Sequence, residues 1–307
     1  MKTKRLIVNA DDLGMSRGIT DAILIAHRYG FVTSASLMAN MPASEYAIER
    51  LAIAPKLDVG IHLNICSGKP LSHPSAIESL VGVDGHFHHP ALMLRKLWTW
   101  GINPRHLEKE FGAQIRWAKV RGLRLTHADS HHHMHMYPAA LGPFKRAIAA
   151  EQIPCVRASR CTVWPRAEAL GGPHEGNIGR RLFVQLYRRA LQSTVLRKFE
   201  TPDSRVSFVS KERRNLDELD HAWRRAFHSL PPGTFELACH PGISETGFSE
   251  TDPIYRQRED EFRWLTDPEF RECIRLNGIE LITYRDLCDR DSVQRASSRA
   301  VAQRQLG

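Results

Sequence analysis

Short apolar runs alternate with helical spacings along this chain of 307 residues, and carboxylates or imidazoles stand at the ends of several of the runs. "RLIVNA" (5–10), "SASLMA" (34–39), "LDVGIHL" (57–63), "LRLTHAD" (123–129), "PCVRAS" (154–159), "TFELACH" (234–240) and "IELITY" (279–284) read as buried strands. Helical periodicity covers 17–29, with Ser16 as N-cap and Gly30 after the end, and then 43–54, 105–121 and 138–150. Such alternation calls for parallel strands joined by helical crossovers. In a barrel of parallel strands the C-terminal strand ends converge on one face, where active sites form. Asp11 and Asp12 follow the first strand, His62 ends the third, Asp129 and His131 close the next, and His240 ends "TFELACH". Four separate segments thus deliver carboxylates and imidazoles to one mouth.

Composition narrows the class. A hydrophobic content of 42% builds a full core, and no apolar run approaches the roughly 20 residues of a membrane-spanning helix. The apolar stretch before the two aspartates is too short for a secretory signal core. The six cysteines include no CxxC pair and are read as reduced thiols of a cytoplasmic protein. Net charge is +9, and residues 157–225 supply +7 of it, with 15 Arg or Lys against 8 Asp or Glu. No nucleic-acid-binding motif accompanies that excess, so a solvated arginine-rich surface is expected and no nucleic-acid partner. Within 176–199, Ile178, Leu182, Leu186 and Ala190 fall four apart beside paired arginines at 180–181 and 188–189. This is a candidate basic amphipathic helix; an ordinary surface helix is favoured over membrane contact. The tail 289–307 is poor in large apolar residues and is expected to be disordered.

The stretch "THADSHHHMHMYP" (126–138) concentrates five histidines. Imidazole with carboxylate suits Zn²⁺, or Mg²⁺ and Mn²⁺ where oxygen dominates. Asp12, His62 and one histidine of the run 131–135 make such a set. An extended chain puts 131, 133 and 135 on one face and a helix pairs 131 with 135, so spacing leaves the choice open. Each feature alone has a plainer reading: His62 as a core histidine, the aspartate pair as a helix cap, the run as a surface patch. Their convergence at strand ends argues for a metal site.

Taken together, "VNADDLGMSRGI", "VGIHLNICSGKPL", "THADSHHHMHMYP" and "CHPG" resemble the YdjC/ChbG family of carbohydrate deacetylases. The likeness covers residues 4–155 and 233–288, while 160–230 offers nothing to anchor. The resemblance implies a single α/β domain over 1–288, an irregular, distorted (β/α) barrel of mainly parallel strands, with an insertion at about 160–230. It implies one divalent metal ion, Mg²⁺ or Zn²⁺, held by Asp12, His62 and His131. Asp129, His133 and His135 become supporting or substrate-facing residues, as does His132. Asp11 becomes the candidate base and His240 the candidate acid, against a structural His-Pro turn. The implied reaction is hydrolysis of the N-acetyl group of an amino sugar such as a chitooligosaccharide. A hopanoid-associated branch suggests a glycolipid substrate instead, and a non-catalytic metal- or carbohydrate-binding protein is the alternative of another class. Amidohydrolases carry an HxH on the first barrel strand, which is absent here. A homodimer is left open.

Overall fold

The computed structural model describes residues 3–157, 196, 198–207, 216–250 and 252–289. Its strands are β1 (Lys4–Leu13), β2 (Ser34–Leu37), β3 (Asp58–Leu63), β4 (His127–Ser130), β5 (Cys155–Val156), β6 (Ser204–Ser207), β7 (Gly233–Cys239) and β8 (Ile279–Leu281). They lie in the order β5-β4-β3-β2-β1-β7-β6, with β8 beside the start of β1, and every pairing is parallel. The two ends of the sheet meet. Glu200, just ahead of β6, accepts from Val156 N–H at 2.9 Å and donates to Pro154 O at 3.1 Å. The expected distorted (β/α) barrel is the architecture found.

The helices are α1 (Arg17–Tyr29), α2 (Ser44–Leu51), α3 (Pro90–Trp98), α4 (Pro104–Val120), α5 (Pro138–Ala150), α6 (Leu216–His228), α7 (Tyr255–Thr266) and α8 (Pro268–Leu276). Ser16 caps α1 by accepting from Ile19 N–H, as its sequence position predicts. The sequence reading passes over α3, α6, α7, α8 and β6, although α8 opens on a capping Asp267 followed by Pro268. The last three helices are held by an aromatic cluster: Trp264 meets Phe270 with centroids 3.9 Å apart, and Trp223 and Phe227 pack beside them. Among the described residues no helix is long and apolar enough to cross a membrane. The candidate amphipathic helix at 176–199 lies almost wholly outside the described residues, as does the tail beyond Asp289.

Strand periodicity divides β1 between two environments. Leu6, Val8 and Ala10 join the main core under the helices, whereas Ile7 joins Cys155, Ile282, Tyr284 and Leu287 in a small separate cluster. Above it the barrel interior is polar: Asn9, Ser34, Ser36, His127, Asp129, Arg157 and Glu236 are all buried. His127 stacks on Tyr284 with centroids 3.9 Å apart. Gly60 of β3 makes room for that ring, since a Cβ there would stand 2.5 Å from three of its atoms.

Two expectations are corrected. Asp11 and Asp12 do not follow β1 but lie inside it, because the strand runs on to Leu13 through a register irregularity between Ala10 and Leu13. The reading of six reduced thiols fails at Cys155 and Cys288, which form a disulfide. Barrel closure brings them together although 133 residues separate them in sequence, a distance no spacing motif reveals. Cys66, Cys239 and Cys273 are free.

Gly60→Ala is expected to lower stability by about 1–3 kcal/mol, the range for overpacking a dense interior. Urea denaturation of both proteins checks it; an unchanged midpoint would mean that the His127 ring yields.

Candidate metal centre and active site

Consecutive residues of a regular strand point to opposite faces. Asp12 escapes that rule because it adopts a left-handed backbone, φ 67°, within the irregular stretch of β1. Aspartate tolerates this conformation better than most side chains. Both Asp11 and Asp12 are thereby turned to the mouth of the barrel, where His62, His131 and His240 also arrive.

Asp12 Oδ1 is buried and accepts no hydrogen bond. It faces His131 Nδ1 at 3.1 Å and His62 Nε2 at 3.4 Å, and one donor atom from each of the three residues lies within 4.8 Å of the others. The other oxygen, Oδ2, is held by Arg258 Nη2 at 2.8 Å, and Arg258 in turn pairs with Asp252 at 2.6 Å. Burial raises the Asp12 pKa, but Arg258 and His131 hold it well below the usual carboxylate range. His62 donates through Nδ1 to Asp129 at 2.7 Å, the carboxylate–histidine arrangement that orients a ligating imidazole. Burial lowers the His62 pKa, yet Asp129 and Asp11 push it up to about 9. An unpartnered carboxylate oxygen facing two imidazole nitrogens is a donor set compatible with a divalent cation.

Next to it stands Asp11. Arg157 Nη1 reaches its Oδ2 at 2.7 Å, and Asn9 donates to its Oδ1 at 3.0 Å. The Arg157 guanidinium also binds Asp129 at 2.7 Å and Glu236 at 2.8 Å. Burial raises the Asp11 pKa, but the guanidinium overrides it and holds the carboxyl below its ordinary range. His240 Nε2 lies 3.8 Å from Asp11 Oδ2. Its backbone N–H donates to Glu261, whose carboxylate also sits 3.8 Å from Nδ1. The His240 side chain is 29% exposed, the groups beneath it almost wholly buried.

A family model described as YdjC-like protein matches residues 5–276. The chain belongs to the YdjC-like family. That match runs through 160–230, where the sequence motifs gave no anchor. A carbohydrate deacetylase of Geobacillus stearothermophilus is 31% identical over 91% of this chain and 96% of its own. One of Vibrio vulnificus (strain CMCP6) is 29% identical over 92% and 96%. A crystal structure from Enterococcus faecalis V583, provisionally described as a cellobiose-phosphate cleavage protein, superposes with a TM-score of 0.74 at 26% identity, covering 93% of this chain and 99% of the other.

In this YdjC-like chain the histidine run is neither extended nor regularly helical. It forms a 3₁₀ turn in which His132 and His133 both have positive φ, 52° and 54°. Each imidazole therefore goes its own way. His131 meets Asp12, His133 pairs with Arg205, and His135 turns inward to Ser130 Oγ at 2.6 Å and stacks on Phe144. His135 is fully buried, which removes it from the substrate-facing set, and burial lowers its pKa to about 3. Burial and the Arg205 guanidinium hold His133 well below the usual imidazole value. The sequence reading missed Arg157, Glu236, Arg258 and Glu261. Arg157 and Glu236 left a trace, since each is a charge set in an apolar strand; Arg258, the second arginine of "YRQRED", left none.

Arg157→Met would leave Asp11, Asp129 and Glu236 buried without their cation, at a cost of about 3–5 kcal/mol. The deficit should shrink as pH falls, because uncompensated buried carboxylates take up protons readily. Urea midpoints at neutral and mildly acid pH test this; equal deficits at both would count against the charge argument.

Proposed function

We propose that this chain is a metal-dependent carbohydrate N-deacetylase, hydrolysing the acetamide of an amino sugar such as a chitooligosaccharide. The observation that carries the reading is the unpartnered Asp12 Oδ1 between His62 and His131, with Asp11 and His240 side by side at the same mouth. The names of the YdjC-like relatives support the substrate class.

Asp12, His62 and His131 would hold the ion, and the chemistry such an ion supplies is polarisation of the acetamide carbonyl and a more acidic water. One carboxylate with two imidazoles suits Zn²⁺ better than Mg²⁺, which prefers oxygen donors. Asp11, kept ionised by Arg157, accepts the proton of the attacking water. His240, held at its backbone by Glu261, gives a proton to the departing amine. Asp129 fixes the His62 tautomer. The relatives are named for a carbohydrate, which favours the oligosaccharide over the glycolipid reading. Presence of both Asp11 and His240 favours turnover over mere binding.

Asp12→Ala, His62→Ala and His131→Ala should each lower metal content by elemental analysis, and His133→Ala much less. Full occupancy in His131→Ala with loss in His133→Ala would move the ligand. Asp11→Asn should retain metal while acetate release from N-acetylated sugars falls roughly 10²-fold or more. A near-normal kcat in that variant would remove the base role from Asp11.

A further inference from the structure

Beside the Asp12 group lies a second set of donors, two of which deacetylation does not use. Cys66, in the loop after β3, places its Sγ so that it and one ring nitrogen each of His131 and His132 lie within 4.8 Å of one another. The Cys66 thiol is free, is 4% exposed, and stands 3.7 Å from Asn64 Oδ1. His132 is exposed at the rim, so the set opens to solvent on that side. Its left-handed backbone, φ 52°, lays its ring against that of His131 with centroids 4.2 Å apart. Such a conformation at a non-glycine residue persists only where its surroundings hold it.

We propose that Cys66, His131 and His132 form a second metal site, selective for thiophilic divalent ions such as Zn²⁺, Cd²⁺ or Co²⁺, that shares His131 with the Asp12–His62 group. One sulfur and two imidazoles make a softer donor set than one carboxylate and two imidazoles, and it offers nothing to Mg²⁺. On binding, the S–H bond breaks, the proton leaves to solvent, and the sulfur lone pair forms the bond to the ion. Nothing is oxidised or reduced. Because His131 serves both sets, an ion here competes for a donor of the first site. Excess Zn²⁺ should therefore inhibit, while excess Mg²⁺ should not. That competition alone rests on the deacetylase reading; the site itself does not.

The test titrates the metal-free full chain with Co²⁺ and follows the near-ultraviolet sulfur-to-cobalt charge-transfer band, which needs no turnover. The band should appear in the wild type and in Asp12→Ala. It should be lost in Cys66→Ser, and in His132→Ala it should be lost or shifted to higher Co²⁺. His132 is exposed, so that variant keeps the test independent of any folding defect at buried Cys66. No band in the wild type would overturn the proposal, as would a band that survives Cys66→Ser. A band that vanishes in Asp12→Ala would also overturn it, by making Cys66 a donor to the first ion. Acetate release measured separately tells failure of this proposal from failure of the deacetylase reading.

Discussion

The buried guanidinium of Arg157 is the interaction on which the barrel interior depends. It touches three carboxylates contributed by three strands: Asp11 of β1, Asp129 of β4 and Glu236 of β7. One cation among three carboxylates leaves negative charge over. Burial raises the Glu236 pKa against the pull of Arg157. The excess faces upward, where His62 leans on Asp129 and a divalent ion would find a field prepared for it. Arg157 therefore joins fold and chemistry: it ties β5 to strands on both sides and keeps Asp11 ionised beside the candidate metal centre.

Above that layer, the site depends on departures from regular backbone. Regular pleating would send one aspartate of the pair into the helical layer, and the left-handed turn at Asp12 prevents this. A regular helix or strand over 131–135 would stack several imidazoles on one face. Two successive left-handed residues instead divide them among the candidate metal centre, Arg205 and the core. Strain of this kind is tolerated where surrounding contacts over-determine it.

The strands and the convergence of Asp11, Asp12, His62, His240 and the histidine run on one mouth were legible because hydrophobic periodicity locates strands and polar residues near their C-terminal ends stand out. The choice among the histidines was not legible from spacing, because it turns on backbone dihedrals that no periodicity encodes. The resemblance to the family pointed to His131, and the geometry brings that residue to Asp12. Helices α6 to α8 were passed over although Asp267 and Pro268 mark the start of α8; what local pattern cannot show is the aromatic contact between distant segments that joins them to the barrel, such as Phe31 with Trp264. Arg258 was illegible for the same reason: it lies 246 residues from the aspartate it holds. The Cys155–Cys288 bond, between segments equally remote, could be found only once the sheet had closed.

That closure gives the barrel a floor. Ile7, Cys155, Ile282, Tyr284 and Leu287 pack together beneath His127, each at most 4% exposed, and the disulfide fastens Cys288, in the segment after β8, to β5. Among the described residues, the charged layer of the lumen therefore lies between this apolar plug and the mouth. An ion or proton reaching Arg157 and its carboxylates from below would have to cross side chains that offer it no charge, whereas from above it meets His62, His131 and His240. A substrate would meet the same histidines, so the interior and the surface of the site share one gateway.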